Sequence, residues 1–185
     1  MTACMARHDA IPNEQREIQR EFFRIDAETA ERIRHLKPRL MTYAQEALET
    51  VFDHLMGNPE VAHYYEIAEN VTYLRAGMLA HCERLFAARY DHAYYAATDE
   101  MGERHSRLEY HSHVYTAAYT NTFARIVELA MSDRHRFTVD DITALTRVTV
   151  YDMELTVGAF YRHRMEKRDA LAQDTEKVRE LLAAS

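Results

Sequence analysis

Tryptophan is absent from this chain, and its 185 residues include only four glycines, three prolines and two cysteines. With so few glycines and prolines, and with Ala, Glu, Arg, Leu and Met plentiful, the composition favours a mostly helical protein. Cys4 and Cys82 are too few for a disulfide framework and fit a reducing, cytoplasmic setting. Positive charge is also in deficit. Lys and Arg number 23 against 30 Asp and Glu, a formal charge of -7, which excludes a general nucleic-acid binder because nothing would neutralise phosphates broadly. No apolar run approaches a membrane span, and the first ten residues carry charge without an apolar signal-peptide core. What remains is a single helical domain, long enough to bury a sizeable core.

Punctuation divides the chain into helical segments. A first amphipathic segment runs from about Pro12 to Phe23, with proline tolerated in an opening turn. Asp26 caps a short second helix to about Leu36, and Pro38 opens a third that Gly57 terminates. Asn58-Pro59 reads as a cap and first helical position for a short helix to about Ile67. Asn70 then caps a helix with the apolar stripe Val71, Leu74, Met78, Leu85 and Phe86. Asp91 or Thr98 begins the segment holding His105, and a long helix follows from Ser112 to Met131. Thr138 with Asp141 resembles a capping box, ahead of a final helix from Val139 to about Leu182. Beyond Arg162 that helix turns charged. Leu171 and Val178, a heptad apart, suit either a solvated tail or a short helix-pairing seam.

Two features ask for a reason. Gly77 sits mid-helix, where glycine costs roughly 1 kcal/mol relative to alanine; close approach of another helix is the commoner cause, a ligand the alternative. Leu74, Gly77 and Met78 share one face, and Phe52 on the earlier helix is placed to close the side of an apolar space. Among eleven histidines, His105 stands out in the stretch Gly102–Tyr119, with Tyr115 ten residues behind it. Taken by itself, a helical histidine is more often a surface or hydrogen-bonded group than a ligand. His81 shares the general face of Gly77, while His111 and His113 look like a solvated corner. Glu60 and His63 form a single Glu-x-x-His, whereas a di-iron bundle needs a second copy and further carboxylates. No metalloprotease motif, phosphate loop or nucleophile elbow is present, so enzyme activity has little support.

Order and spacing along the chain resemble the globin domain of the globin-coupled sensor family, and its aerotaxis transducers in particular. FFRIDAETAERIRHLKPRL resembles that family's N-terminal extension and first globin helix, and EALETVFDHLMGNPE its second. VTYLRAGMLAHCERLFA resembles the distal helix, MGERHSRLEYHSHVYTAAY the helix with the iron ligand and the start of the next, and VTVYDMELTVGAFY the last globin helix. The resemblance implies an all-α globin fold with an extra N-terminal helix and a long C-terminal helix. It divides the chain into an extension (residues 1–17), a sensor globin domain (18–165) and a helical tail or linker (166–185).

The same resemblance implies heme b as cofactor, with His105 as the proximal iron ligand and Tyr115 as the tyrosine that hydrogen-bonds it. Leu74, Gly77, Met78 and His81 fall on the distal side. Phe52 stands where the family commonly has an oxygen-stabilising tyrosine, and a phenylalanine has no donor. The expectation is a gas sensor taking O2, CO or NO opposite His105. Five-coordinate iron in an open apolar pocket is preferred over ligation by Met78 or His81, or a donor supplied by Tyr43 or Tyr73. The family's partners would be a second copy, joined as a homodimer through the last two long helices, and an output signalling module. The competing class is a heme-free globin-fold interaction module in stress signalling.

Overall fold

The computed structural model describes residues 13–66, 68–107, 112–134 and 137–183. Six α-helices make up the architecture, with no strand among the described residues: α1 (Asn13–Phe22), α2 (Ala27–Met56), α3 (Ala68–Ala87), α4 (His92–Ser106), α5 (Ser112–Ser132) and α6 (Val139–Ala183). The all-α class, the extra N-terminal helix and the long C-terminal helix are as expected. Pro12 and His111 lie outside the described residues.

Three expected boundaries are corrected. Pro38 does not start a helix; it lies inside α2, which runs unbroken from the Asp26 cap to Gly57. Burial decides this. Ile33, Leu36, Leu40, Ala44, Leu48, Val51, Phe52 and Leu55 form one buried stripe that continues across the proline. Each large apolar side chain contributes roughly 1.5–3 kcal/mol, so Ile33, Leu36 and Leu40 alone outweigh the cost of about 3 kcal/mol for an interior proline. Pro38 and Arg34, whose carbonyl loses its helical partner, are both exposed, and Arg34 can bond water there. The second correction follows Gly57. Asn58 Oδ1 accepts from the Glu60 amide at 2.9 Å, and this turn leads into a short 3-10 segment (Ala62–Tyr65) whose cap position, Val61, makes no side-chain bond. Asn58 therefore builds a turn rather than a helix cap. Third, α3 already begins at Ala68, so Asn70 lies within it, its side chain outside the described residues.

Other starts agree with the chemistry. Asp26 accepts from the Thr29 amide at 2.8 Å, and Asp91 from the Tyr94 amide at 2.9 Å, so Asp91 rather than Thr98 opens α4. Thr138 and Asp141 exchange side-chain and backbone bonds at 2.9 and 3.2 Å, a full capping box at the head of α6.

One principal core lies between α2, α3, α5 and the first half of α6, with Phe52, Phe86, Leu145, Val148 and Tyr151 fully or almost fully buried. α1 docks outside it. The Arg16 guanidinium stacks on the Tyr95 ring at 4.3 Å, and Tyr151 donates to the Arg16 carbonyl at 3.3 Å. α4 makes its largest interface with α6. From residue 167 to 183 every residue of α6 is exposed, so this length of helix projects without tertiary support within the chain. No helix among the described residues is long and apolar enough to cross a membrane.

Candidate functional site

Helix α4 carries two stripes one residue out of phase. Tyr94, Thr98, Gly102 and Ser106 recur every four residues and are buried. Ala97, Met101 and His105 recur at the same interval, about 100° around the helix, and face a cavity. The first stripe explains Gly102. A Cβ there would stand 2.4 Å from the Ala159 Cβ, 2.7 Å from the Thr156 carbonyl oxygen and 2.8 Å from the Phe160 nitrogen, all on α6. Glycine lets the two backbones touch. The second stripe thereby holds His105 against a wall seated directly on α6.

The cavity has a volume of about 510 Å³ and is bounded by α2 through α6. Leu48 and Leu55 of α2, Leu74, Gly77, Met78, His81 and Leu85 of α3, Met101 and His105 of α4, Tyr115, Tyr119, Phe123 and Ile126 of α5 and Thr149 of α6 all line it. Such a size and apolar lining suit a small-molecule or cofactor site. Arg84, Arg104 and Glu100 supply its charged lining residues.

His105 is held from behind. Its Nδ1 lies 2.7 Å from the Met101 carbonyl oxygen, one turn earlier, so Nδ1 bears the hydrogen and the lone pair is on Nε2. Tyr115 meets His105 ring to ring, centroids 4.7 Å apart at 63°, while its hydroxyl points a weak 3.9 Å bond at the Met101 sulfur. Burial lowers the His105 pKa below its ordinary value; the Met101 carbonyl opposes this, and Arg104 and His81 add to it. The ring is therefore kept neutral, the form that ligates metals.

Opposite, on α3, Gly77 resolves the choice its position posed. A Cβ at Gly77 would meet nothing within 4 Å, so no neighbouring helix requires the glycine and open cavity lies over it. Leu74, Met78 and His81 join it in the lining, but Phe52 does not: that ring is fully buried in the core, with the Arg75 guanidinium 4.9 Å from its centroid. Its helix faces the cavity through Leu48 and Leu55 instead. Tyr43 is also engaged elsewhere, with Asp133, whereas Tyr73 lines the cavity.

A polar cluster that sequence patterns did not reveal sits among these walls. Asp152 of α6 is completely buried, accepting from the Tyr94 hydroxyl at 2.7 Å and the Tyr119 hydroxyl at 2.7 Å, with His81 Nε2 at 2.7 Å. Burial alone would raise its pKa. The charge and hydrogen bond of His81, with those two tyrosines, more than offset this and hold the carboxyl below its usual range. Burial first, then the Asp152 charge, pushes both tyrosine hydroxyls well up, so they remain donors. The one hint in the sequence was an aspartate within a dense apolar stripe. Elsewhere, Glu60 pairs with His113 at 3.1 Å, and no group of three or more metal-binding side chains is gathered among the described residues.

Five of the six helices surround an apolar cavity with a clamped histidine on one wall, which makes this a helical protein with a built pocket. Its fold is that of a globin: the globin domain of the Geobacter sulfurreducens globin-coupled sensor matches with a TM-score of 0.68 over 79% of this chain and 97% of that one, at 21% identity. The sequence profile of the Protoglobin family matches residues 13–166, and the chain belongs to that family. No curated protein matches it.

Proposed function

We propose that this protein is a heme-binding, gas-sensing globin in which His105 ligates the iron. The observation that carries the reading is the pairing of His105 with the cavity: a neutral imidazole whose Nδ1 is bound by the Met101 carbonyl lines an apolar space of about 510 Å³. The residues present fit a flat apolar cofactor, because Gly77 leaves open space where any side chain would intrude. Heme b, when bound, supplies an iron that takes a diatomic ligand such as O2, CO or NO.

The chain's own residues would do the rest. The Met101 carbonyl orients the His105 ring and raises its basicity, as outer partners of ligating histidines do. Tyr115 packs its edge and restricts rotation. Leu74, Met78, Phe123 and Ile126 exclude water. Because Gly102 seats α4 on α6, displacement of His105 along its helix bears directly on Thr156, Ala159 and Phe160, just before α6 becomes exposed. Residues 18–165 would then be the sensor domain and 166–185 the tail that passes the change to a second copy or an output module.

The test is heme loading of the full chain. Wild type is expected to show a Soret band that survives gel filtration, and His105→Ala to lose it while keeping its helical circular dichroism. No Soret band with His105 intact would sink the reading in favour of a heme-free globin module.

A further inference from the structure

Asp152 holds two phenols at once. Tyr119, on the cavity wall, donates to its Oδ2, and Tyr94, outside the cavity lining, donates to its Oδ1, each at 2.7 Å. The carboxylate is completely buried, so bulk water does not reach it. Phenylalanine would fill either tyrosine's place without a hydroxyl to satisfy, so packing alone does not ask for this trio. Beyond Tyr94 the rings continue, with Tyr90 edge-on at 5.4 Å between centroids and Tyr95 at 5.3 Å. In the other direction Tyr119 is 5.8 Å from Tyr115, which meets His105. A file of rings, joined at its middle by Asp152, therefore runs from His105 to Tyr90.

The file is not uniform. A tyrosine that loses an electron becomes strongly acidic, and in a buried place it needs a base for its proton, because an unpaired buried cation is costly. The Tyr90 hydroxyl has no hydrogen-bond partner among the described residues. Tyr95 and Tyr151 pair their hydroxyls at 3.2 Å, and Tyr151 donates to the Arg16 carbonyl at 3.3 Å. A phenol and an amide carbonyl are too weakly basic to take a proton. Of these rings, Tyr94 and Tyr119 are the two that point at a carboxylate.

We propose that Tyr119, Asp152 and Tyr94 form a proton-coupled redox relay that carries oxidising equivalents out of the cavity, with hydrogen peroxide as the oxidant. This rests on the heme reading above. Tyr119 gives an electron to the oxidant in the cavity and its proton to Asp152 Oδ2, leaving a neutral tyrosyl radical. Tyr94 then gives its electron to Tyr119 and its proton to Oδ1, while Oδ2 returns its proton to Tyr119. The radical now rests on Tyr94, away from the cavity wall, and the carboxyl keeps one proton. Tyr90, 8% exposed, places the relay within reach of the surface. An external one-electron donor such as ascorbate restores Tyr94 as Oδ1 hands its proton back. Two such cycles deliver two electrons, which with two protons from solvent convert one hydrogen peroxide to two waters.

The experiment is electron paramagnetic resonance of the ferric, heme-loaded full chain, mixed with hydrogen peroxide and frozen within seconds. Wild type is expected to show a tyrosyl signal that narrows when the protein carries ring-deuterated tyrosine. Tyr94→Phe should replace it with a signal of different hyperfine splitting, from Tyr119. Tyr94→Phe combined with Tyr119→Phe should abolish it. Asp152→Asn keeps an acceptor oxygen but cannot take a proton, and should lose the signal as well. Should Asp152→Asn fail to fold, the phenylalanine variants, which retain every ring, decide. Tyr161→Phe, at an exposed tyrosine outside the file, should leave the signal unchanged. Wild type that holds heme but forms no tyrosyl radical, a signal that survives the double variant, or one lost in Tyr161→Phe overturns the proposal while leaving the heme reading intact. Absence of a Soret band in wild type overturns both.

Discussion

Two glycines separate the two walls of this cavity. At Gly102 an added methyl would lie 2.4 Å from Ala159 and under 3 Å from two α6 backbone atoms; at Gly77 it would meet nothing within 4 Å. One glycine lets two helices touch, and the other leaves open space above its helix. The contrast assigns the walls different work. The α4 wall, with His105, is rigidly coupled to α6. The α3 wall is an open surface at Gly77, and His81 ties it inward to Asp152.

That comparison is broken most severely by cutting the tie. Asp152→Ala strands His81, Tyr94 and Tyr119 in the interior, and chemical denaturation of the cofactor-free protein is expected to show a loss of about 3–5 kcal/mol. Next comes Gly102→Ala, where backbone atoms cannot rotate aside. α4 must lift from α6, at about 1–3 kcal/mol, and heme-loaded protein should report the altered His105 position through a changed iron–histidine stretch in resonance Raman. Unchanged stability in Gly102→Ala would disprove the tight seam.

Gly77→Ala sharpens the contrast from the other side. Alanine is the better helix former by up to about 1 kcal/mol and encounters no neighbour, so the cofactor-free protein should gain stability. Gly77→Leu, by filling the space, should weaken heme retention without unfolding the chain. A loss of cofactor-free stability in Gly77→Ala would mean that a helix, not a ligand, lies over that position.

The smallest effect concerns the helix starts that set both walls in register. For Asp141, burial acts to raise the pKa, but the Thr138 bonds and Arg32 outweigh it and leave it lowered; bonds from Thr29 lower that of Asp26. A carboxyl with a depressed folded-state pKa contributes stability that is fully present above its unfolded value. That contribution is lost as pH falls through the folded value. Protection factors against amide hydrogen exchange at the first turns of α2 and α6 should therefore fall below about pH 4. Thr138→Ala should cost about 1 kcal/mol at neutral pH.

Much of the helical order was legible because capping chemistry is local. Asp26, Asp91 and the Thr138–Asp141 pair announced their helices within three or four residues. Pro38 misled for the same reason: it is a strong local signal, overridden by a buried stripe whose partners lie on other helices. Spacing and family resemblance drew attention to His105, Leu74, Gly77, Met78 and His81, and the structure brings all five to one cavity. Phe52 was misplaced because helical periodicity gives a face only to within a residue or so, and here Leu48 and Leu55 take the cavity side.

The sequence by itself determined the helical class, most helix starts and the candidate face of α3, since composition, caps and periodicity act over one or two turns. Only the tertiary structure decided which glycine makes contact and which leaves space, and that Asp152 joins residues on α3, α4 and α5. Those relations depend on helix packing across 33 to 71 positions of chain, a separation at which no local pattern carries information.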